Sequence, residues 1–135
     1  MKSVKFLLPL LIIVGLVGAI SFASVDFSKE QQGLLKHVVC FKFKDDAKPA
    51  EIDKVVQAFS DLQQEIPTII DFECGTNVSP ENLTRGFTHC FILTFKSAKD
   101  RDAYLPHPAH KAFGGVLGPV MAKKDGVMVI DFWTK

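Results

Sequence analysis

Two hydrophobic periods alternate along the chain, and the switches between them mark its elements. From His37 to Lys44 (HVVCFKFK), His37, Val39, Phe41 and Phe43 fall on one side and Val38, Cys40, Lys42 and Lys44 on the other. A period of two predicts a strand. Asp45-Asp46-Ala47-Lys48 is a polar turn, and Pro49 suits a first helical position. Ile52, Val55, Val56, Phe59, Leu62 and Ile66 then recur at helical spacing until Pro67 stops the run. Thr68 to Gly75 (TIIDFECG) predicts a second strand, Asn77 to Gly86 a loop, and Phe87 to Lys96 (FTHCFILTFK) a third strand. In that third strand His89, Phe91, Leu93 and Phe95 share one face, so both strands read as a histidine followed by large apolar residues. Ser97-Ala98-Lys99-Asp100 is a capping-box variant, with Asp in place of Glu, that opens a helix. Pro106 and Pro108 break it. The first piece stops near Tyr104 or Leu105 and a second starts at Pro108. Val127 to Trp133 (VMVIDFW) is a last strand, apolar on both faces.

Strand, helix, strand, strand, broken helix, strand is the split βαβ order of a ferredoxin-like α+β fold, βαββαβ with an antiparallel four-stranded sheet. Such a sheet packs its helices on one face. The other face carries Val38, Cys40, Ile92, Met128 and Ile130, too much apolar surface to leave in water. A second copy, sheet against sheet in a two-fold homodimer, covers it.

The N-terminus changes the picture of the whole chain. Lys2 and Lys5 precede an apolar run from Phe6 to Ala23, the layout of a secretory signal, with small residues for cleavage before Ser24 and a second such site at Val17-Gly18-Ala19. The expected division is a signal peptide over residues 1–23, a polar linker over 24–33 and one domain over 34–135. That places the mature domain outside the cytoplasm, secreted or periplasmic, and any membrane contact would come from an uncleaved signal. The length of 135 residues fits one domain. A net charge of +1 supplies no basic face, so nucleic acid is not an expected partner. Cys40, Cys74 and Cys90 each sit in a strand-like run without Cys-x-x-Cys spacing, which argues against a zinc site or redox dithiol. They read as buried small hydrophobes, or as one cross-strand disulfide with a leftover thiol in an oxidising compartment.

The candidate chemistry gathers at the helix break. Ser97 to Phe113 (SAKDRDAYLPHPAHKAF) holds the only Tyr and two of the four His. Tyr104 ends one helix, His107 sits in the break and His110 lies in the next first turn. His37 and His89 begin two strands on the face under the helices, where His107 and His110 can meet them. Val39, Phe41, Phe59, Phe91, Phe113 and Val129 supply the apolar wall of such a pocket. A neutral His110 could take a proton from carbon beside a carbonyl, with Tyr104 donating to the developing enolate oxygen. The plainer reading is that Tyr104 and His110 satisfy backbone groups freed by the prolines. His107-x-x-His110 without a nearby carboxylate is a weak metal motif, nothing marks a haem ligand, and no cofactor is expected.

The domain resembles the stress-responsive A/B barrel, or Dabb, family of the dimeric α+β barrel superfamily. The resemblance rests on His37-Val38-Val39, Ile66-Pro67, Cys74-Gly75-Thr76-Asn77-Val78-Ser79, Thr84-Arg85-Gly86-Phe87-Thr88-His89, Tyr104-Leu105-Pro106-His107-Pro108-Ala109-His110 and Asp131-Phe132. It implies a dimer whose two sheets form an α/β barrel. One plant member is a polyketide cyclase needing no metal or organic cofactor. Its acid–base pair corresponds to Tyr104 and His110, and its pocket histidines to His37, His89 and His107. Three functions follow as expectations. The first is a homodimer binding a small apolar or aromatic molecule. The second is a cofactor-independent cyclase or isomerase with His110 as base and Tyr104 as acid. The third is a purely structural stress protein. An open cavity lined by Tyr104 and His110 favours the second, and a filled one with both side chains bonded to backbone favours the first.

Overall fold

Seven elements follow one another: β1 (Leu35–Phe41), α1 (Pro49–Glu65), β2 (Asp71–Thr76), β3 (His89–Phe95), α2 (Ala98–Tyr104), α3 (Pro108–Leu117) and β4 (Val127–Trp133). The structure is a computed structural model and describes residues 33–135. The expected signal segment and nearly all of the linker lie outside the described residues. The four strands form one antiparallel sheet in the order β2-β3-β1-β4, so the fold is ferredoxin-like α+β. The two ends of the domain meet at the sheet edge, where the Leu34 N–H donates to Thr134 Oγ1 at 2.8 Å and the Thr134 N–H to the Leu34 carbonyl at 2.9 Å.

Element boundaries shift from the pattern for local reasons. β1 starts at Leu35 and ends at Phe41; beyond it Phe43 makes only an isolated bridge to Met121. β2 starts at Asp71 because the chain leaving α1 turns first, with the Ile69 N–H on the Ile66 carbonyl at 3.0 Å. At the start of α2, Ser97 Oγ accepts from the Asp100 N–H at 3.1 Å and donates to the Asp100 carboxylate at 2.8 Å. Asp is one methylene shorter than Glu, and its carboxylate closes on the cap hydroxyl.

The helices cover one face of β1, β3 and β2 with a phenylalanine core. Phe59 of α1 stacks on Phe113 of α3 at 4.5 Å between ring centroids and lies 4.8 Å from Phe91 of β3. Phe41 and Phe91 are themselves 5.0 Å apart. Burying aromatic surface of this kind is the main stabilising contribution available to so small a domain. The edge strand β4 is less covered: Val129 on its helix-side face is half exposed. This gap in the roof opens the cavity described below.

No helix of the described residues covers the opposite face of the sheet. Met128, Ile130 and Phe132 of β4 are 39%, 51% and 47% exposed there, beside the half-buried Val38, Cys40, Cys90 and Ile92. The apolar field ends at one polar corner, where Lys36 Nζ donates to Thr94 Oγ1 at 2.8 Å and to Glu73 Oε1 at 3.1 Å.

Candidate active site

The proline break sets the site's geometry. α2 ends at Tyr104, Leu105 caps it, and Pro108 opens α3. His107 is the α3 N-cap: its Nδ1 accepts from the Ala109 N–H at 3.2 Å, occupying that nitrogen with a backbone donor that a helix start leaves free. His110, one turn on, reaches back across the break, with Nδ1 2.9 Å from the Leu105 carbonyl. A carbonyl only accepts, so Nδ1 carries a proton, and in the neutral ring the lone pair then lies on Nε2. Tyr104 is completely buried, and its ring centroid lies 4.2 Å from His110, 5.7 Å from His37 and 5.4 Å from Phe95. Its hydroxyl has no hydrogen-bond partner among the described residues. Burial pushes its pKa up, so Tyr104 stays protonated and acts as a donor.

His37 completes the cluster from β1. The register sets it opposite Asp131 of β4, and its Nδ1 lies 2.6 Å from Asp131 Oδ1. That contact alone would hold a proton on the ring. The other Asp131 oxygen, however, is taken by the Arg101 guanidinium. Burial first, then the charge of Arg101 and the neighbouring His110, bring His37 down to about 4. The His37–Asp131 contact is therefore a hydrogen bond from a neutral imidazole and not an ion pair. Asp131 fixes the tautomer, leaving His37 Nε2 as a second free lone pair.

A cavity of about 560 Å³ opens beside these rings, within the range of small-molecule sites. Of the side chains singled out from the sequence, His37, Val39, Phe41, Phe59, Tyr104, His110, Phe113 and Val129 line it. His89, Phe91 and His107 do not. His107 is the helix cap, and Phe91 is fully buried in the core. His89 misses the site because of strand direction. β1 and β3 are antiparallel, so a residue near the start of one lies near the end of the other: His37 faces Leu93, and His89 faces Phe41. His89 instead packs edge-on against Phe43 at 5.1 Å and bonds Thr88 Oγ1 at 3.0 Å. Burial lowers its pKa, against a raising effect of Asp53.

Arg101, Leu105, Lys111, Leu117, Val127 and Asp131 also line the cavity without having been singled out as site residues. The Arg101–Asp131 pair was invisible because it joins α2 to β4 across thirty positions of sequence. An Asp inside the otherwise apolar run VMVIDFW was the available signal, since a charge on an inward face needs a partner. A larger hollow of about 710 Å³ lies beside Cys40, Cys90 and Met128, under the loop that follows β2. His89 lines this hollow and not the first. Among the described residues no cluster of three or more His, Cys, Asp or Glu is placed to hold a metal ion, and no helix is long and apolar enough to cross a membrane.

The arrangement supports proton transfer at a carbonyl compound. A protonated phenol can donate to an oxygen while an imidazole 4.2 Å away, centroid to centroid, can accept a proton from the adjoining carbon. Phe41, Phe59 and Phe113 give the cavity an apolar wall.

Comparison with known proteins gives the family and the fold. The model of the stress responsive A/B barrel domain matches residues 35–134. A stress-response A/B barrel domain-containing protein of Arabidopsis thaliana is 36% identical over 104 residues, 77% of this chain and 93% of the relative. Olivetolic acid cyclase of Cannabis sativa is 34% identical over 98 residues, 73% of this chain and 94% of the cyclase. A dimeric ferredoxin-like protein from Jannaschia sp. superposes with a TM-score of 0.62 at 28% identity, covering 74% of this chain and 98% of that one.

Proposed function

Because the chain belongs to the stress-responsive A/B barrel family, we propose that it works as a homodimer binding a small apolar or aromatic carbonyl compound between β1, β4 and the α2–α3 break, and that it moves a proton on that compound. The observation that carries the reading is the buried Tyr104 hydroxyl, which has no hydrogen-bond partner among the described residues, on a side chain that lines the cavity together with His110. An unsatisfied buried hydroxyl costs roughly 1–3 kcal/mol, and a ligand oxygen would relieve it. His110 then acts as base through Nε2 and Tyr104 as oxyanion donor, with no cofactor. The backbone bond of His110 serves this role as well as a structural one, because it sets the tautomer.

The similarity to a cyclase supports proton-transfer chemistry without carrying over its substrate. The dimer is supported by the uncovered apolar face of the sheet and by the dimeric structural relative. A secreted or periplasmic location rests on the N-terminal sequence, and the mass of the mature chain recovered from outside the cytoplasm tests it.

The direct test of the site is deuterium exchange at the carbon beside the carbonyl of a simple aryl ketone such as phenylacetone, in D₂O. Wild-type protein should speed exchange at least tenfold over His110→Ala and Tyr104→Phe. Binding of the ketone with equal exchange in all three would leave a binding protein without this chemistry.

A further inference from the structure

Two of the three cysteines stand directly opposite each other in the sheet: Cys40 of β1 is the register partner of Cys90 of β3. Backbone direction says which kind of pair they form. Leu34 and Lys42, which share the parity of Cys40, turn their backbone groups toward β4, bonding Thr134 and Gly126. The backbone of Cys40 therefore also points away from β3. Cys40 and Cys90 are a non-hydrogen-bonded antiparallel pair, the kind whose Cα atoms approach to about 4.5 Å and whose side chains lie closest. A disulfide spans Cα separations of roughly 4.4–6.8 Å. Both side chains lie on the helix-free face and line the same hollow. Burial first, and then the Cys90 sulfur beside it, push the Cys40 thiol up to about 11, as two neighbouring sulfurs require. Cys74 is excluded from the pair: it stands opposite Phe91, on the helix side of the sheet.

We propose that Cys40 and Cys90 are the site of a cross-strand disulfide, formed by exchange with a small disulfide such as oxidised glutathione, and that Cys74 is the leftover thiol. One cysteine thiolate attacks a sulfur of oxidised glutathione, releasing one glutathione thiolate and forming a mixed disulfide. The second cysteine thiolate attacks the protein sulfur of that bond and releases the second glutathione. The two cysteines lose two protons and two electrons, and one molecule of oxidised glutathione becomes two of the thiol. The bond locks β1 to β3 within the apolar face, and Cys40 has Met128 of β4 as its other neighbour. It is independent of the ligand cavity, which lies on the opposite side of the sheet.

The test uses the full chain, reduced, equilibrated in glutathione buffers of increasing oxidising power, then alkylated and digested. The expected result is a peptide pair joined through Cys40 and Cys90, an intact mass lower by two hydrogen atoms, alkylated Cys74 and a raised denaturation midpoint. Cys74→Ser should leave the bond in place. Cys40 and Cys90 both alkylated, or both carrying glutathione, in the most oxidising buffer would overturn the assignment. So would a link through Cys74.

Discussion

Tyr104 and His110 face each other across the Pro106 break, ring centroids 4.2 Å apart and planes 34° from parallel, while the Tyr104 hydroxyl goes without a partner among the described residues. Tyr104→Phe removes a buried donor that is unpaired in the free protein. The unfolding free energy of the ligand-free variant should therefore rise by about 1 kcal/mol, measured by urea titration. The same variant should lose at least tenfold in ketone exchange. A drop in stability would mean that the hydroxyl is already satisfied.

His37 makes stability depend on pH. Its pKa falls from 6.5 in the unfolded chain to about 4 in the folded protein, chiefly through burial, then Arg101 and His110. Between those values the unfolded state binds more protons, so stability rises with pH through this window and is lost as pH falls through it. By pH 5 the loss from this one group should reach about 2 kcal/mol, and His37→Asn should flatten that part of the profile. Arg101→Gln frees the Asp131 charge beside the ring. The His37 midpoint, followed by imidazole NMR, should then move upward from its wild-type value.

The two histidines of the break should separate cleanly. His107→Ala removes the α3 cap and should cost about 1 kcal/mol of stability, with ketone exchange within about twofold of wild type. His110→Ala should abolish exchange. Equal effects of the two substitutions on exchange would remove the distinction between cap and base.

On the helix-free face, Ile130 is 51% exposed among apolar neighbours. Ile130→Lys would bury an unpaired charge in the apolar seam of a face-to-face dimer. Light scattering should show a mass halved relative to wild type at micromolar concentration, with an unchanged far-ultraviolet spectrum. A wild-type chain that is already monomeric would sink the dimer.

The order of elements, the helix break and the alternating faces could be read from the chain because they depend on neighbours in sequence. Proline lacks an N–H and fixes its own backbone angle, so Pro49, Pro67, Pro106 and Pro108 mark helix ends wherever the chain goes. Side chains alternate in any strand, so His37, Val39 and Phe41 had to share a face, and the apolar residues opposite them needed cover. Tertiary structure decided which histidines meet. Strand pairing sends β3 antiparallel to β1, which separates His89 from His37, although both lie early in their strands on the same face. The same pairing brings Asp131 to His37, and α2 then delivers Arg101 to neutralise it. These partners are far apart in sequence, and no local period encodes a contact that exists only once the sheet is ordered. Cys40 and Cys90 follow the same rule: each was legible as a strand residue, but their opposition is a property of register alone.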